Sequence, residues 1–545
     1  MNKKILCVLL SGAMLLSLAA CKPDKPAPSS ETTTTASETA EATTTTTSET
    51  TETTETTETT PSESTGVPEK GCKLEFPTGD RYHYDMDLTL NDEKNTIAGH
   101  VDFTFFNDSE DDWDKLCLRD YSSLFKNPKD AGYDSGIKTN GKYTEINNIK
   151  DSRDGSTMDY EREDKDVSVV WIPLNTKLAP GEKMTLSYDF VAKIPTVADR
   201  YGVSDGVFNV TNFYPILAEY TKDGWSHIGF YACGECFYSE ISDYDVKLTV
   251  PSDMVVLSTG VEKGETPSGS TKTISIFAEC VRDFVFSGSK KFKLIEGDYK
   301  DTHVRTAYVE EKHPEYDKME AEYAQKAAID SLAAFGSAFG EYPYKDLEVI
   351  IAPISAGGME YPNLVIIGKA YVGDDETETS RKNIYQMSAD NVVSHEVGHQ
   401  WFMGIVGSNS GLQPWLDESF ASFTEFVYEV AVYPNKDHSQ PITIMDDADK
   451  YTKINRSYFD YESEFSYICA VYWDGKDVLC DMYDILGEEE FYGLIREYVH
   501  EYAFKNADQL DFFRILYKHA GTDNTTLNML IKKYFNEDVQ PSKFM

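Results

Sequence analysis

Positive charge is scarce in this chain. Lysine and arginine together number 51, against 93 aspartates and glutamates, and the formal net charge is −42 at pH 7. Because nucleic-acid binding depends on basic patches that neutralise phosphates, this balance argues against a nucleic-acid partner. The excess of acid is typical of a solubilised extracellular surface.

Long apolar runs are absent after residue 20. Lys3 and Lys4 precede an apolar run over 5–20, which is short for a transmembrane helix and typical of an export signal, assigned here to residues 1–21. The run ends in Leu-Ala-Ala before Cys21, which resembles the bacterial lipoprotein processing box. That resemblance implies lipidation at Cys21 and anchoring at the extracellular face of a bacterial membrane. An ordinary secretory signal that contains a cysteine is the alternative.

Large apolar side chains are almost missing from residues 22–71, which consist mainly of Thr, Ser, Glu and Pro. Such a segment cannot bury enough surface to offset its ordering entropy. The composition therefore predicts a disordered acidic tether between the anchor and the folded part.

Cysteine is scarce as well. Apart from Cys7 and Cys21, an odd number remains, so at least one thiol is unpaired within the chain. The pair Cys233 and Cys236 has the spacing of a redox or metal motif, but it stands in a β-rich stretch without a second pair, and a disulfide or two buried thiols is the preferred interpretation. The pairing stays open among Cys72, Cys117, Cys233, Cys236, Cys280, Cys469 and Cys480.

The rest of the chain divides into two blocks by its hydrophobic period. Residues 72–302 alternate apolar and polar positions, for example over 101–105, 184–190 and 246–250, which predicts an antiparallel β-sandwich or saddle. Residues 303–545 begin with an Ala-rich helical segment over 316–339, continue with strands over 347–352 and 364–367, and are mostly helical from 384 onward. This second block is an α+β layout.

Histidine is rare, with ten in the chain, and two of these stand four residues apart. His395 and His399 lie on one face of a predicted helix, with Glu396 between them, and Glu418 follows nineteen residues after His399 on a second helix. Two imidazoles and a carboxylate leave a fourth position open for water on one zinc ion, which is the donor set of a catalytic site. Glu396 is then placed to act as general base on that water.

Several motifs in the same order resemble the aminopeptidase N family of zinc metallopeptidases. The helix at 395–402 is similar to the family's zinc helix, and 415–421 to the helix that carries the third ligand. Upstream, Gly-Gly-Met-Glu-Tyr at 357–361 is similar to the exopeptidase motif, usually Gly-Ala-Met-Glu-Asn, and Tyr-Trp-Asp-Gly at 472–475 to a Tyr-Glu-Lys-Gly segment. The resemblance implies a β-saddle domain followed by a thermolysin-like domain.

The resemblance also implies roles for individual residues. Tyr472, with Tyr467 as a weaker rival, would donate to the oxyanion, and Glu360 would pair with the free α-ammonium of a peptide. The backbone of Gly357 and Gly358 would bind the peptide as an added strand. Glu425, on the same helix face as Glu418, is either a residue that orients a ligand or an ordinary surface acid.

The expected activity is removal of N-terminal residues from external peptides by zinc-activated water. Two alternatives remain: a zinc endopeptidase, and a surface binding protein on a retired peptidase fold. Gly358 and Tyr361 depart from the usual Ala and Asn of the exopeptidase motif. The chain ends 73 residues after Tyr472, without the large C-terminal helical domain of many members, which predicts an open cleft.

Overall fold

The computed structural model describes residues 67–544, apart from 128–141, 227, 230–233, 236, 371, 374–375 and 439–452. The predicted export signal, Cys21 and nearly all of the predicted tether therefore lie outside the described residues. Within the described part, no helix is both long enough and apolar enough to cross a bilayer.

The N-terminal half is built from strands whose side chains alternate between core and solvent. In β1, for example, Tyr84, Met86, Leu88 and Leu90 are buried and the residues between them are not. The strands described along the whole chain are β1 Tyr82–Asn91, β2 Thr96–Phe106, β3 Trp113–Arg119, β4 Glu145–Asp151, β5 Glu161–Arg162, β6 Val169–Leu178, β7 Lys183–Lys193, β8 Gly202–Ser204, β9 Val207–Val210, β10 Ile216–Leu217, β11 Tyr220–Thr221, β12 Gly224–Trp225, β13 Ser242–Pro251, β14 Val255–Ser258, β15 Val261–Ser268, β16 Thr271–Val281, β17 Phe286–Ser289, β18 Phe292–Tyr299, β19 Thr302–Val309, β20 Asp346–Ala352, β21 Gly358–Tyr361, β22 Leu364–Gly368, β23 Val406–Gly407 and β24 Lys505–Asn506.

The largest sheet has seven strands in the order β15-β16-β13-β1-β2-β7-β4. Smaller sheets, β10-β3-β6-β5, β14-β17-β9-β8 and the two-stranded β11-β12, complete the described part of the β domain. One detail of the antiparallel prediction is wrong, because β1 pairs with β13 in parallel. These two strands are far apart in sequence, so no hairpin turn forces them to run in opposite directions.

The C-terminal half combines a five-stranded sheet, in the order β18-β19-β20-β22-β21, with helices. Strand β18 belongs to this sheet although it precedes the predicted boundary at residue 303. The α-helices described are α1 Pro314–Phe339, α2 Glu378–Ser388, α3 Ser394–Gly398, α4 Trp415–Val432, α5 Glu464–Ile468, α6 Gly475–Leu486, α7 Glu488–Tyr502, α8 Gln509–Ala520 and α9 Thr525–Tyr534. The helix and strands predicted at 316–339, 347–352 and 364–367 correspond to α1, β20 and β22, and differ only at their ends.

The two halves share a tightly bonded interface. Arg282, which follows β16, is 6% exposed and projects into the helical half. Its guanidinium donates to the carbonyl oxygens of Gly404, Ser239 and Lys505 and to Oδ1 of Asn506, at 2.6–3.1 Å. Nearby, the hydroxyl of Tyr344 donates to the carbonyl oxygen of Cys280 at 2.7 Å. These buried bonds fix the orientation of the halves.

The five cysteines that the structure describes, Cys72, Cys117, Cys280, Cys469 and Cys480, are free thiols. Cys233 and Cys236 lie outside the described residues, so the interpretation of that pair stays a prediction.

Candidate metal centre

His395 and His399 are presented by a helical stretch that contains a π turn. Helix α2 passes into a π turn at Ala389–Val393 and then into α3. Such turns shift the face of the residues that follow, and they are frequent at functional sites. Here the two imidazoles face each other with their Nε2 atoms 3.2 Å apart.

Glu418 enters from the first turn of α4. Its Oε2 lies 3.3 Å from His395 Nε2 and 3.4 Å from His399 Nε2. All three ligand atoms lie within 4.8 Å of one another, which is close enough for one metal ion. Gly398 permits the close packing of α3 on α4, because a Cβ on residue 398 would lie only 2.9 Å from Thr424 Cβ on α4.

Each imidazole is oriented by an acid on its far side. His395 Nδ1 donates to Glu425 at 3.1 Å, and Lys476 donates to the other oxygen of Glu425 at 2.7 Å. His399 Nδ1 donates to Asp417 at 2.7 Å, and Asp417 also accepts from Ser410 at 2.6 Å. With both Nδ1 atoms occupied, both Nε2 atoms are left to face a metal ion.

Glu396 is buried beside the three ligand atoms. Among the described residues its Oε2 has no hydrogen-bond partner. Burial raises the pKa of Glu396 above that of an ordinary glutamate. An orphaned carboxylate oxygen at this point fits a site completed by a metal ion and its water, because buried polar atoms otherwise find partners.

Tyr472 lies on a second π turn, Cys469–Asp474. Its ring stacks on His395, with centroids 6.0 Å apart and an interplanar angle of 10°. Gly475 allows the turn to press against α4, since a Cβ there would lie 2.6 Å from Ser419 Cβ. Tyr467 is buried against the edge of Tyr472, with its hydroxyl directed at the backbone of Gly234.

Glu360 lies on β21, the edge strand of the five-stranded sheet, and is 4% exposed. Burial, and to a smaller extent the charge of Glu235, raise the pKa of Glu360 well above the usual value for a glutamate. Glu235 comes from the loop before β13 in the β domain, and both of its oxygens accept from Arg200 Nη1 at 3.1 Å. The centre thus combines imidazole and carboxylate ligands with a second group of buried acids.

Comparison with known proteins agrees with this arrangement. Residues 323–534 match the model of the peptidase family M1 domain. Aminopeptidase M1-B of Oryza sativa subsp. japonica is 27% identical over 291 residues, which is 51% of this chain and 32% of that protein. Aminopeptidase N of Haemonchus contortus is 25% identical over 237 residues, which is 41% of this chain and 24% of that protein.

Residues 323–534 therefore form a peptidase family M1 domain. This confirms the resemblance to the aminopeptidase N family. The chain spans about a third or less of the length of these two relatives.

The fold has counterparts among solved structures. A mutant of a two-domain M1 zinc metallopeptidase bound to L-arginine has a TM-score of 0.55 at 15% identity, and covers 86% of this chain and 97% of its own. An M1 zinc metallopeptidase from Deinococcus radiodurans has a TM-score of 0.54 at 15% identity, and covers 86% of this chain and 94% of its own. At this identity the likeness concerns the fold alone, and it confirms the two-domain architecture.

Both departures from the family's exopeptidase motif have a place in the M1 fold. A Cβ on Gly358 would lie 2.5 Å from Cγ of Glu396 and closer still to the carboxyl group, so glycine gives Glu396 its position. Tyr361 is buried, and its hydroxyl reaches Thr211 and Asn212 of the β domain. Neither residue is a neutral replacement for the alanine and asparagine.

Sequence reasoning brought together the residues of the M1 centre but missed several neighbours. The structure places His395, His399, Glu418, Glu396 and Tyr472 in one cluster, with Glu425 behind His395 and with Gly358 and Glu360 on the adjoining strand. Residues that were missed are Asp417, Ser410, Lys476, Glu235 and Arg200. Two features of the sequence could have indicated such neighbours. Asp417 stands directly before Glu418, and Glu235 is a charged residue between Gly234 and Cys236.

Proposed function

We propose that the chain is a zinc-dependent aminopeptidase that removes N-terminal residues from peptides. The observation that carries the proposal is the placing of two buried acids, Glu360 and Glu235, beside a His395, His399 and Glu418 group. Burial and the charge of Glu235 both oppose ionisation of Glu360, so a cation bound between the two acids is favourable. A substrate ammonium is such a cation, and this geometry selects peptides with a free N-terminus.

The donor set fits zinc. Two histidine nitrogens and one carboxylate oxygen are the ligands of known catalytic zinc sites, and orienting acids such as Glu425 and Asp417 are usual behind them. The metal supplies Lewis-acid polarisation of the scissile carbonyl and lowers the pKa of bound water. The relatives named as aminopeptidases and the structures named as zinc metallopeptidases support this assignment.

The remaining chemistry belongs to side chains of the centre. Glu396 takes a proton from the attacking water and later delivers it to the leaving amine, because its carboxylate lies within 4.8 Å of a ring nitrogen of the ligand His399. The hydroxyl of Tyr472 donates to the oxyanion that develops on the carbonyl. The outer edge of β21, from Gly358 onward, pairs with no other described strand and binds the peptide backbone as an added strand.

We also propose that the enzyme works outside the cell, attached to the membrane by lipid at Cys21. The lipoprotein-like processing box, the Thr- and Glu-rich segment after it and the net charge of −42 support this location. Peptides in the surroundings are then its substrates, and membrane lipid is the only other partner proposed.

The test compares fluorogenic aminoacyl amides with their N-acetylated forms, using purified zinc-loaded protein. We expect cleavage of the free amides alone, and loss of turnover in Glu396→Gln with the zinc content unchanged. Equal cleavage of both forms would instead indicate an endopeptidase. A zinc-loaded protein that cleaves neither form would favour the binding-protein alternative. Location is tested separately, by metabolic labelling with a fatty acid in wild type and in Cys21→Ser.

A further inference from the structure

The two acids of the proposed amine pocket belong to different domains. Glu360 lies on β21 in the M1 domain, and Glu235 lies in a loop of the β domain. A substrate ammonium can bond both carboxylates only if their spacing is held within a few tenths of an ångström, because charge-assisted hydrogen bonds are short and directional. Some connection between the domains must therefore set this spacing.

Tyr361 makes a connection of this kind. It follows Glu360 on β21, so its side chain leaves the opposite face of the strand. Its hydroxyl lies 2.9 Å from Thr211 Oγ1 and 3.0 Å from Asn212 Oδ1, both of which can accept its proton. Tyr361, Thr211 and Asn212 are each 5% exposed or less, so these bonds form away from water.

The bonds continue from Thr211 to the second acid. The hydroxyl of Thr211 donates to the carbonyl oxygen of Arg200 at 2.8 Å. The guanidinium of the same arginine holds Glu235 through both carboxylate oxygens. The hydroxyl of Tyr361, the residue after Glu360, is thus connected through Thr211 and Arg200 to Glu235.

Asn212 gives this connection a rigid base. Its backbone adopts a left-handed conformation, with φ +47°, which asparagine tolerates better than most residues. Its side chain donates to Asp283 at 2.9 Å, and Asp283 also accepts from Tyr214 at 2.6 Å. The acceptor for Tyr361 is therefore fixed in the core of the β domain.

We propose that Tyr361 is a positioning residue that sets the spacing of Glu360 and Glu235 for the substrate ammonium. The proposal rests on the proposed aminopeptidase function. It explains why this chain carries tyrosine where the family's motif usually has asparagine: the longer side chain reaches across the domain boundary. Tyr361 acts through its hydroxyl, so Tyr361→Phe removes the connection and leaves the ring in place.

The test measures recognition of the amine by binding, without turnover. Two zinc-directed probes are used on the purified full-length protein loaded with zinc: an aminoacyl hydroxamate and the matching acyl hydroxamate that lacks the amine. Calorimetry gives both dissociation constants. The constant of the acyl probe divided by that of the aminoacyl probe measures how strongly the pocket prefers the amine. The matched control is Tyr344→Phe, which removes another buried hydroxyl that bridges the domains, to the carbonyl oxygen of Cys280.

We expect Tyr361→Phe to reduce the ratio by roughly 3- to 10-fold, the size of one buried hydrogen bond, and Tyr344→Phe to leave it unchanged. In a Glu235→Gln background, Tyr361→Phe should add little, because both changes act on the same acid. An unchanged ratio in Tyr361→Phe, or equal weakening of both probes, would overturn the inference. A wild-type protein without preference for the amine would instead refute the proposed function itself.

Discussion

The position of Glu396 depends on the absence of a single methyl group. A Cβ on residue 358 would lie 2.5 Å from Cγ of Glu396, and closer still to Cδ and Oε1. The conflict involves most of the side chain beyond Cβ, so a small rotation of the carboxylate cannot relieve it. Gly358→Ala should therefore turn Glu396 away from the ligand cluster while His395, His399 and Glu418 stay in place.

The expected loss follows from the role of the displaced group. A positioned general base contributes roughly 10²- to 10⁴-fold to the rate, so we expect Gly358→Ala to lower kcat by about 10²-fold or more. KM should change by less than about threefold, because amine recognition by Glu360 is retained. Steady-state kinetics on an aminoacyl amide, together with zinc analysis of the same samples, separates these effects.

The neighbouring Gly357 offers a matched control for Gly358→Ala. Gly357→Ala adds the same methyl group where a Cβ meets nothing within 4 Å, and it should cost less than about threefold in kcat. Wild-type kcat in Gly358→Ala would refute the reasoning, because Glu396 would then work from another position. Loss of zinc from the variant would count against it as well, since the damage would have reached the ligands.

Two further predictions concern groups outside the ligand cluster. Lys476→Met removes the cation that holds Glu425 behind His395, and zinc affinity measured by chelator competition should fall by about 10-fold. Lys436→Met, which removes an exposed lysine paired with Glu429, should have no effect. Burial raises the pKa of Asp283 to about 7, so between about pH 4 and pH 7 the folded state holds a proton that the unfolded state has lost. The free energy of unfolding should therefore fall as the pH rises through this range. In Asp283→Asn this fall, at most roughly 4 kcal/mol in urea titrations, should disappear, and an unchanged slope would contradict the assignment.

The grouping of His395, His399 and Glu418 could be predicted from the sequence because it is local. His395 and His399 are one helical turn apart, and Glu418 stands in the first turn of a helix that begins directly after Pro414. Glu425 lies seven residues further, on the same face, so its place behind His395 also follows from helical geometry. Alternation of apolar residues likewise predicted the strands of the β domain.

The acid partner of Glu360 could not be predicted, because it arrives from another domain. Glu235 lies in a loop without periodicity, and its place depends on contacts with Arg200 and, through Gly234, with the remote Tyr467. Asp417 was missed for a different reason. It adjoins Glu418, and sequence alone does not tell which of two neighbouring acids faces the metal and which faces an imidazole.

The parallel pairing of β1 with β13 could not be predicted from the sequence either. Pairing of strands that are remote in sequence depends on the path of the whole chain, whereas alternation reports only which face of each strand is buried.

Arg282 has a consequence for how substrates reach the site. Rotation of the two domains apart would strip a buried guanidinium of its carbonyl acceptors, which costs several kcal/mol. The two halves are therefore held in one arrangement, and under the proposed function peptides would enter without an opening motion of the domains. The proposed cycle would then need no domain opening between the removal of one residue and the next.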